Sequence, residues 1–484
     1  MGDTNKTAAK LGIIGLASIV ISSMVGGGVF SLPQNMAAGA SAGAVLLAWL
    51  ITGVGMYFIA NTFSVLSRVK PDLTAGIYMY AREGFGPYVG FTIGWGYWLC
   101  QIFGNVGYAV ITMDALNYFF PPHFAGGNNL LSIVCGSVLI WGFNWVVLRG
   151  VKQAAILNVI GTIGKLVPLL LFCLILLFVF HLDKFDFNFW GKLAENGKSL
   201  GSLPTQLKST MLVTLWAFIG IEGAVVLSNR AKSQSAVSKA TFLGFLGCLV
   251  IYIGLSVLPF GFLTQEEIAA VANPSTAGVL AKVVGPWGAV FMNCGLLIAV
   301  LSSWLAWTMI TAEIPAAAAE NGTFPKVFAK QNKNGAPSVS LWVTSALMQL
   351  AILMVYFSNN AWNTMLSITG VMVLPAYLAS TAYLWKLTED GEYAKISSKG
   401  RAAALFTSIC GTVYALWLVY AAGVKYLFMA VIFLALGVPV FMWARKEKRD
   451  NLPVFTAQEK MLVFLLLVFA LGAVYTFCHG HVSL

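Results

Sequence analysis

The stretch IVISSMVGGGVFSLPQN, residues 19–35, decides the fold, because it places three consecutive glycines inside an apolar run. Each glycine weakens a helix by about 1 kcal/mol relative to alanine, and Pro33 follows a few residues later. In lipid, broken backbone is tolerated only where protein or a watery cavity satisfies its polar groups. The stretch therefore predicts a membrane helix that is interrupted at Gly26–Gly28 beside a cavity.

A second stretch, TLWAFIGIEGAVVLSN at residues 214–229, has the same character, since Gly220 and Gly223 flank Glu222 within an apolar run. It lies five apolar spans after the first. Two interrupted spans in corresponding positions of two halves are the sequence pattern of a transporter site. This spacing, without any clear repeat of individual residues, predicts two inverted five-helix repeats.

The composition extends this interpretation to the whole chain. Of 484 residues, 58% are hydrophobic and 10% are charged, against about 25% charged in a soluble domain. A cytosolic enzyme, a disordered chain and a nucleic-acid-binding protein are therefore excluded, and an all-α polytopic membrane protein is predicted. Thirteen spans are expected at 11–32, 41–63, 86–114, 129–148, 154–181, 209–229, 240–263, 285–313, 338–356, 362–386, 402–422, 425–444 and 460–478.

The net charge of +11 is explained by membrane topology. If the spans alternate sides, 22 of the 29 Lys and Arg residues lie in one set of connections and six in the other, with Lys165 left inside a span. Positive residues favour the cytoplasmic side, so we expect a cytoplasmic N-terminus. The sequence contains no Walker A, HExxH, GxSxG or zinc-spaced motif, so neither a cofactor nor a metal is expected and an enzyme is disfavoured.

Two charged residues are predicted deep inside the spans. Glu222 could hold a cationic substrate group, transfer a proton or bond to backbone freed by its neighbouring glycines, and a role in gating or coupling is favoured. Lys165 could snorkel to an interface or face the interior, where a fixed ammonium would replace a bound sodium ion. In the second case, transport would not depend on sodium.

Several uncharged residues are candidates for a binding site, each with an alternative role. Gly26, Gly27 and Gly28 could offer free N–H groups to a carboxylate, or could serve close helix packing. Ser23 could contact a ligand, although such serines often bond back to their own helix. Trp216 and Trp307 could stack on a guanidinium or belong to the interfacial belt, and Tyr97 and Asn105 could form part of a polar network between helices.

Four motifs together resemble the amino acid–polyamine–organocation superfamily, and most closely its basic amino acid and polyamine antiporters. They are SSMVGGGVFSLP, AGIYMYAREGFGPYVGF, TLWAFIGIEGAVV and ENGTFPKVFAKQNKNGAP. The resemblance covers about residues 8–445. It implies a LeuT-like fold of two inverted five-helix repeats with two or three further C-terminal helices. The divisions expected are a cytoplasmic 1–10, a first repeat at 11–181, an external loop at 182–208, a second repeat at 209–386 and C-terminal helices at 387–484.

The resemblance also implies roles for the site residues. Gly26, Gly27 and Gly28 would bind a substrate carboxylate, and Ile219 and Gly220 would bind the α-amino group through freed carbonyls. By the same resemblance, Trp307 would stack on the substrate and Trp216 would close over it as a gate. Tyr97 would help to shut the inner path, and Asn105 would contact the substrate or the gate. Glu222 would couple the sixth helix to substrate occupancy.

This chain departs from the best-known arginine/agmatine antiporters, which have Asn and then Gly-Ser-Gly where Ser23 and Gly26–Gly28 stand, and which lack a lysine at position 165. The expected function is sodium-independent exchange of external arginine for internal agmatine across a bacterial inner membrane, which would support acid resistance. Arginine/ornithine or lysine exchange is the alternative, and a channel or membrane-embedded enzyme is the alternative of another class. Expected partners are these small molecules and membrane lipid, without nucleic acid, and a homodimer is compatible with this interpretation.

Overall fold

A computed structural model describes residues 13–73, 76–150, 154–192, 199–221, 234–397, 400–448, 453–480 and 482. Within these ranges the regular structure is helical, apart from one isolated bridge between Gln331 and Pro337. The α-helices are α1 Ile13–Met24, α2 Leu32–Ala37, α3 Ala42–Val69, α4 Tyr78–Phe85, α5 Pro87–Phe119, α6 Leu130–Arg149, α7 Ala154–Phe178, α8 Leu182–Asp186, α9 Leu203–Ala217, α10 Gln234–Val257, α11 Gln265–Ala269, α12 Ser275–Val284, α13 Pro286–Glu320, α14 Ser338–Val355, α15 Ala361–Glu389, α16 Glu392–Ile396, α17 Arg401–Ala435, α18 Val438–Glu447 and α19 Ala457–Cys478.

Ten helical stretches in the described ranges are long and apolar enough to cross a membrane. Helices α1 and α9 do not reach that length, because they end after 12 and 15 residues at the two predicted breaks. One stretch, Arg401–Glu447, contains two predicted spans in 47 residues, which is about 70 Å of helix against a 30 Å hydrocarbon core. Gly423 (φ 78°, ψ 156°) divides it. The prediction of an all-α polytopic membrane protein is confirmed, and α19 supplies an apolar thirteenth span.

Several helix ends differ from the predicted spans. The long helices α5 and α13 continue five and more residues beyond the predicted 86–114 and 285–313. The expected external loop at 182–208 contains the short helix α8, and α9 begins at Leu203 instead of at residue 209. The extensions of α5 and α9 contain polar residues, which a criterion of continuous apolar residues leaves out, whereas the extension of α13, IPAAAAE, lies beyond the charged Glu313 at which the predicted span ends.

The two halves of the chain share a structural repeat that surrounds a Gly-Pro pair. The short helix α4 ends at Gly86 (φ 96°, ψ 172°), and Pro87 begins the 33-residue α5. The short helix α12 likewise ends at Gly285 (φ 86°, ψ −172°), and Pro286 begins the 35-residue α13. Glycine tolerates this positive φ, and proline suits the first turn of the following helix. The pair therefore builds the same sharp corner before the third and the eighth span.

Helices α1, α5, α9, α13 and α15 lie at the centre of the molecule. Helix α5 packs against both α13 and α15, and α13 also packs against α7. Small residues allow the latter approach: a Cβ atom on Gly164 would lie 2.7 Å from Ile298, and one on Gly295 would lie 2.4 Å from Pro168. This close packing fixes the walls between which the two interrupted helices meet.

Candidate functional site

The first helix breaks where the sequence predicts it. Helix α1 ends at Met24, Gly26 is extended (φ −94°, ψ −176°), and a 3-10 turn at Gly27–Ser31 leads directly into α2. The first N–H groups of such a segment have no acceptor within the helix, and they form its positive end. Gly26 to Gly28 are all buried, and the Gly26 N–H group donates to the Met24 carbonyl oxygen at 2.9 Å, so the donors that the break offers to a ligand lie at the start of the turn that follows.

The sixth span breaks at the same depth and contacts the first break. Helix α9 ends at Ala217, and a turn follows through Gly220, whose φ of 103° favours glycine. A Cβ atom on Gly220 would lie 2.9 Å from the Ser23 carbonyl oxygen. The Ser23 hydroxyl has two acceptors within reach, the Val20 carbonyl oxygen at 2.8 Å and the Gly220 carbonyl oxygen at 3.2 Å. Ser23 thus both bonds back to its own helix and joins the two breaks.

A cavity of about 40 Å³, the central cavity, lies where the breaks meet. Six residues singled out from the sequence line it: Ser23, Gly26, Asn105, Trp216, Ile219 and Trp307. Five others were not predicted from the sequence, and they are Met24, Gln101, Gly104, Tyr108 and Thr369. Two of them, Gln101 and Tyr108, stand four residues before and three residues after Asn105 on one face of α5, and that periodicity was the available signal.

The wall of the central cavity carries buried polar atoms without a partner in the described part of the chain. The Asn105 Nδ2 group donates to the Gln101 carbonyl oxygen (2.8 Å) and to Thr311 Oγ1 (3.0 Å), which leaves Asn105 Oδ1 unpaired. Gln101 Nε2 and Thr369 Oγ1 are also unpaired. Unpaired buried polar groups cost free energy, so this wall is suited to a ligand with both donors and acceptors.

Two tryptophans close one side of the central cavity. The Trp216 and Trp362 rings meet edge to face, with centroids 5.6 Å apart and planes at 83°, and we call this pair the indole seam. Gly28 lies directly against it, because a Cβ atom there would approach Trp216 to 1.9 Å and Trp362 to 2.6 Å. Gly28 therefore supports the seam instead of lining the cavity, and Gly27 packs against Val300.

Beyond the indole seam lies a larger cavity of about 600 Å³, which we call the vestibule. It is lined by Gln34, Asp114, Asn117, Tyr118, Ala125, Gly126, Val271, Ala272, Asn273, Pro274, Ala277, Gly278, Asn293, Asn359, Asn360, Ala361 and Trp362. Trp362 belongs to both the seam and the vestibule wall. The seam therefore separates a wide polar space from the narrow central cavity.

Helix α4, which precedes α5, is joined to the segment after α13 by a polar cluster, the Arg82 clamp, made of Arg82, Asn321, Thr323 and Tyr78. Arg82 Nη1 donates to the Asn321 carbonyl oxygen (3.0 Å), to Asn321 Oδ1 (3.0 Å) and to Thr323 Oγ1 (2.8 Å). Asn321 Nδ2 donates to the Tyr78 hydroxyl at 2.7 Å, and burial raises the pKa of Tyr78 to about 12. The clamp joins the first half of the chain to the second, about 50 Å of helix away from the vestibule end of α5.

Two further predicted residues, Lys165 and Tyr97, lie outside the central cavity wall. Lys165 is only 5% exposed, so its side chain lies in the protein interior. Tyr97 is partly buried on α5, one turn from Gln101 toward the clamp. Glu222 lies outside the described residues.

The sequence comparisons agree with this architecture. The family model for amino acid permeases matches residues 11–471. An arginine/agmatine antiporter of Chlamydia abortus (strain DSM 27085 / S26/3) is 62% identical over 98% of each chain. Proteins with the same name from Chlamydia pneumoniae and Chlamydia trachomatis serovar L2 are 60% identical over the whole of both chains and 58% identical over 98% of each. The resemblance seen in the sequence is thus confirmed, and the chain belongs to the amino acid permease family within the amino acid–polyamine–organocation superfamily.

Proposed function

We propose that this protein exchanges external arginine for internal agmatine across a bacterial inner membrane, with its N-terminus in the cytoplasm. The observation that carries the proposal is the central cavity, which forms where two broken helices meet, between the vestibule and the Arg82 clamp. The high identity to arginine/agmatine antiporters over nearly the full chain supports the choice of substrates. With this orientation, the vestibule faces outward and the clamp faces the cytoplasm.

The substrate backbone would be recognised by the protein backbone. The N–H groups at Gly26–Gly28 would donate hydrogen bonds to the arginine carboxylate, and the carbonyl groups at Ile219 and Gly220 would accept hydrogen bonds from its ammonium. Agmatine lacks the carboxylate. Backbone donors tolerate its absence better than a dedicated cationic side chain would, because a buried charge left unpaired is far more costly than an unpaired N–H group.

The guanidinium would be held mainly by aromatic faces. Among the described residues that line the central cavity, none is charged, and Trp216 and Trp307 present large rings. A cation over a tryptophan face gains about 0.5–2 kcal/mol. The unpaired Oδ1 atom of Asn105 adds an acceptor for the guanidinium N–H groups.

Transport would require the central cavity to widen and close in turn. Its present volume is close to one water molecule's share of the liquid, about 30 Å³, so an amino acid enters only after the walls move. In this proposal Trp216 opens and closes over the substrate, Tyr97 narrows the inner path and Glu222 couples the sixth span to occupancy. The buried Lys165 ammonium takes the place of a sodium ion, which makes exchange sodium-independent.

The exchange would also move charge. At neutral pH arginine carries one net positive charge and agmatine carries two, so each cycle exports one positive charge, as acid resistance requires. The proposal includes a homodimer in the membrane, which light scattering of the purified protein in detergent would detect.

The test is uptake of labelled arginine into proteoliposomes loaded with agmatine, ornithine, lysine or no substrate. We expect agmatine loading to drive uptake that saturates with external arginine and that is equal in sodium and choline buffers. If ornithine or lysine drives uptake and agmatine does not, the proposed exchange pair is wrong. Uptake that is independent of internal substrate would point to a channel.

A further inference from the structure

The vestibule contains a negative side chain that the proposed exchange does not use. Asp114 lies near the end of α5, six residues and about 9 Å beyond the central-cavity residue Tyr108. Among the described residues that line the vestibule, it is the only acidic or basic one. A carboxylate partly withdrawn from water is stable when a cation or several hydrogen-bond donors approach it.

Two amides place oxygen atoms in the same wall, and their orientation is fixed by their own hydrogen bonds. Asn293 is 1% exposed, and its Nδ2 group donates to the Ala289 carbonyl oxygen at 3.0 Å. A carbonyl accepts only from a donor, so the nitrogen must lie on that side. Asn293 Oδ1 is then buried without a partner in the described part of the chain.

Asn273 is oriented by a similar chain of bonds through Gln34. The Gln34 Nε2 group donates to the Ala269 carbonyl oxygen at 3.3 Å, so its Oε1 atom faces the other way and accepts from Asn273 Nδ2 at 3.3 Å. Asn273 Oδ1 is therefore the free atom, and it too is buried without a partner among the described residues. Both amides thus contribute an unpaired acceptor oxygen.

The vestibule wall consequently combines a carboxylate with two unpaired amide oxygens. Such a set of acceptors selects a ligand rich in N–H donors and positively charged, which means a guanidinium or a primary ammonium. The Trp362 ring in the same wall adds an aromatic surface for the cation. A volume of about 600 Å³ holds an amino acid or a diamine, whereas the central cavity in this conformation does not.

We propose that the vestibule is a second, peripheral cation-binding subsite, in which Asp114, Asn273 and Asn293 capture the guanidinium of a substrate before it passes the indole seam. The identity of the substrate rests on the proposed function. The subsite raises the local concentration of cationic substrate and speeds its entry. It also selects cationic ligands over neutral ones before they reach the central cavity.

The first experiment measures arginine/agmatine exchange by Asp114→Asn, which keeps the shape of the side chain and removes its charge. We expect the KM for external arginine to rise about threefold to tenfold at low salt, with the maximal rate retained, and the difference to shrink at high ionic strength. Asp186→Asn is the matched control, because Asp186 is an exposed acid on α8 that does not line the vestibule. A KM that is unchanged in Asp114→Asn, or raised equally in Asp186→Asn, would overturn the proposal.

A gain-of-function variant protects the test against a folding defect. Asn117 lies in the vestibule wall, and its Oδ1 atom accepts from the Phe124 N–H group at 3.1 Å. Asn117→Asp keeps that acceptor and adds a negative charge. The KM for arginine should therefore fall about twofold to fivefold at low salt. A KM that rises or stays constant would contradict the proposed role of charge in the vestibule.

Equilibrium binding separates this inference from the proposed function. Labelled agmatine is titrated onto the purified full-length protein and onto Trp307→Ala, which weakens the central site. We expect Trp307→Ala to retain a weak, salt-sensitive component of binding that the double variant with Asp114→Asn loses. This component can persist even if agmatine fails to drive arginine uptake, which would disprove only the proposed exchange. If Trp307→Ala retains no such component, the peripheral subsite does not exist.

Discussion

Gly28→Ala is the sharpest test of the indole seam. The backbone at Gly28 is helical and tolerates alanine, so the only obstacle to alanine there is a steric clash of its methyl group. The new Cβ atom would lie 1.9 Å from the Trp216 ring, about 1.5 Å short of the 3.4 Å at which ordinary contact begins. The same methyl group would lie 2.6 Å from Trp362, so neither ring can stay in place.

The expected magnitude follows from the cost of overpacking, which is about 1–3 kcal/mol. This cost falls on the conformation in which the seam is closed and is relieved when the rings part. The closed state should therefore lose population by about fivefold to 150-fold relative to the open one. We expect the maximal rate of arginine uptake into agmatine-loaded proteoliposomes to fall within that range, and to fall more than the affinity for arginine does.

Two further variants isolate the mechanism. Gly55→Ala introduces a comparable clash, 2.2 Å from Tyr414, far from the central cavity, and should lower the thermal unfolding midpoint without changing exchange per folded protein. Trp216→Phe shortens the ring and should recover part of the exchange rate in Gly28→Ala. Wild-type exchange in Gly28→Ala, or the same loss in Gly55→Ala, would refute the account of the seam.

Three other variants test separate parts of the proposed mechanism. Trp307→Ala should weaken arginine binding, measured by calorimetry, about twofold to 30-fold through loss of a cation–π contact, while Trp216→Ala should mainly slow turnover; small and equal effects would refute the stacking role. Lys165→Ala should lower arginine exchange without creating a sodium requirement, measured in sodium and choline buffers, and an unchanged rate would exclude a role for the buried ammonium. Arg82→Ala removes hydrogen bonds to a charged group worth about 1.5–3 kcal/mol, so amide hydrogen exchange in α4 should accelerate at least tenfold; unchanged protection would show that the clamp does not hold this end closed.

The sequence was sufficient to predict the two helix breaks, because glycine runs inside apolar spans have few other physical explanations. Gly26 and Ile219 were predicted from the breaks and the resemblance, and both line the central cavity. The sequence was not sufficient for Thr369, because its place in the wall depends on how α15 rotates against α5. Packing of side chains that are distant in the chain sets that rotation.

The vestibule and the Gly-Pro corners were missed for different reasons. The free oxygen atoms of Asn273 and Asn293 can be recognised only once their nitrogen atoms have found partners in the folded chain. The Gly86–Pro87 and Gly285–Pro286 corners are too short to stand out as a repeat of residues. The backbone angles of the two corners are nearly the same although the side chains around them differ, so the similarity is visible only in the structure.

The indole seam and the Arg82 clamp differ in what they expose when they part. A guanidinium that leaves its protein acceptors is rehydrated, at a net cost of about 1.5–3 kcal/mol, whereas a tryptophan ring that leaves its neighbour exposes apolar surface. At about 25 cal/mol per Å² and about 150 Å² per ring, a fully uncovered indole costs about 4 kcal/mol. A cationic substrate covers that surface, and an unloaded carrier has nothing that does. We therefore expect empty carriers to cycle rarely, so that leakage of substrate gradients is low and each inward step is matched by an outward one.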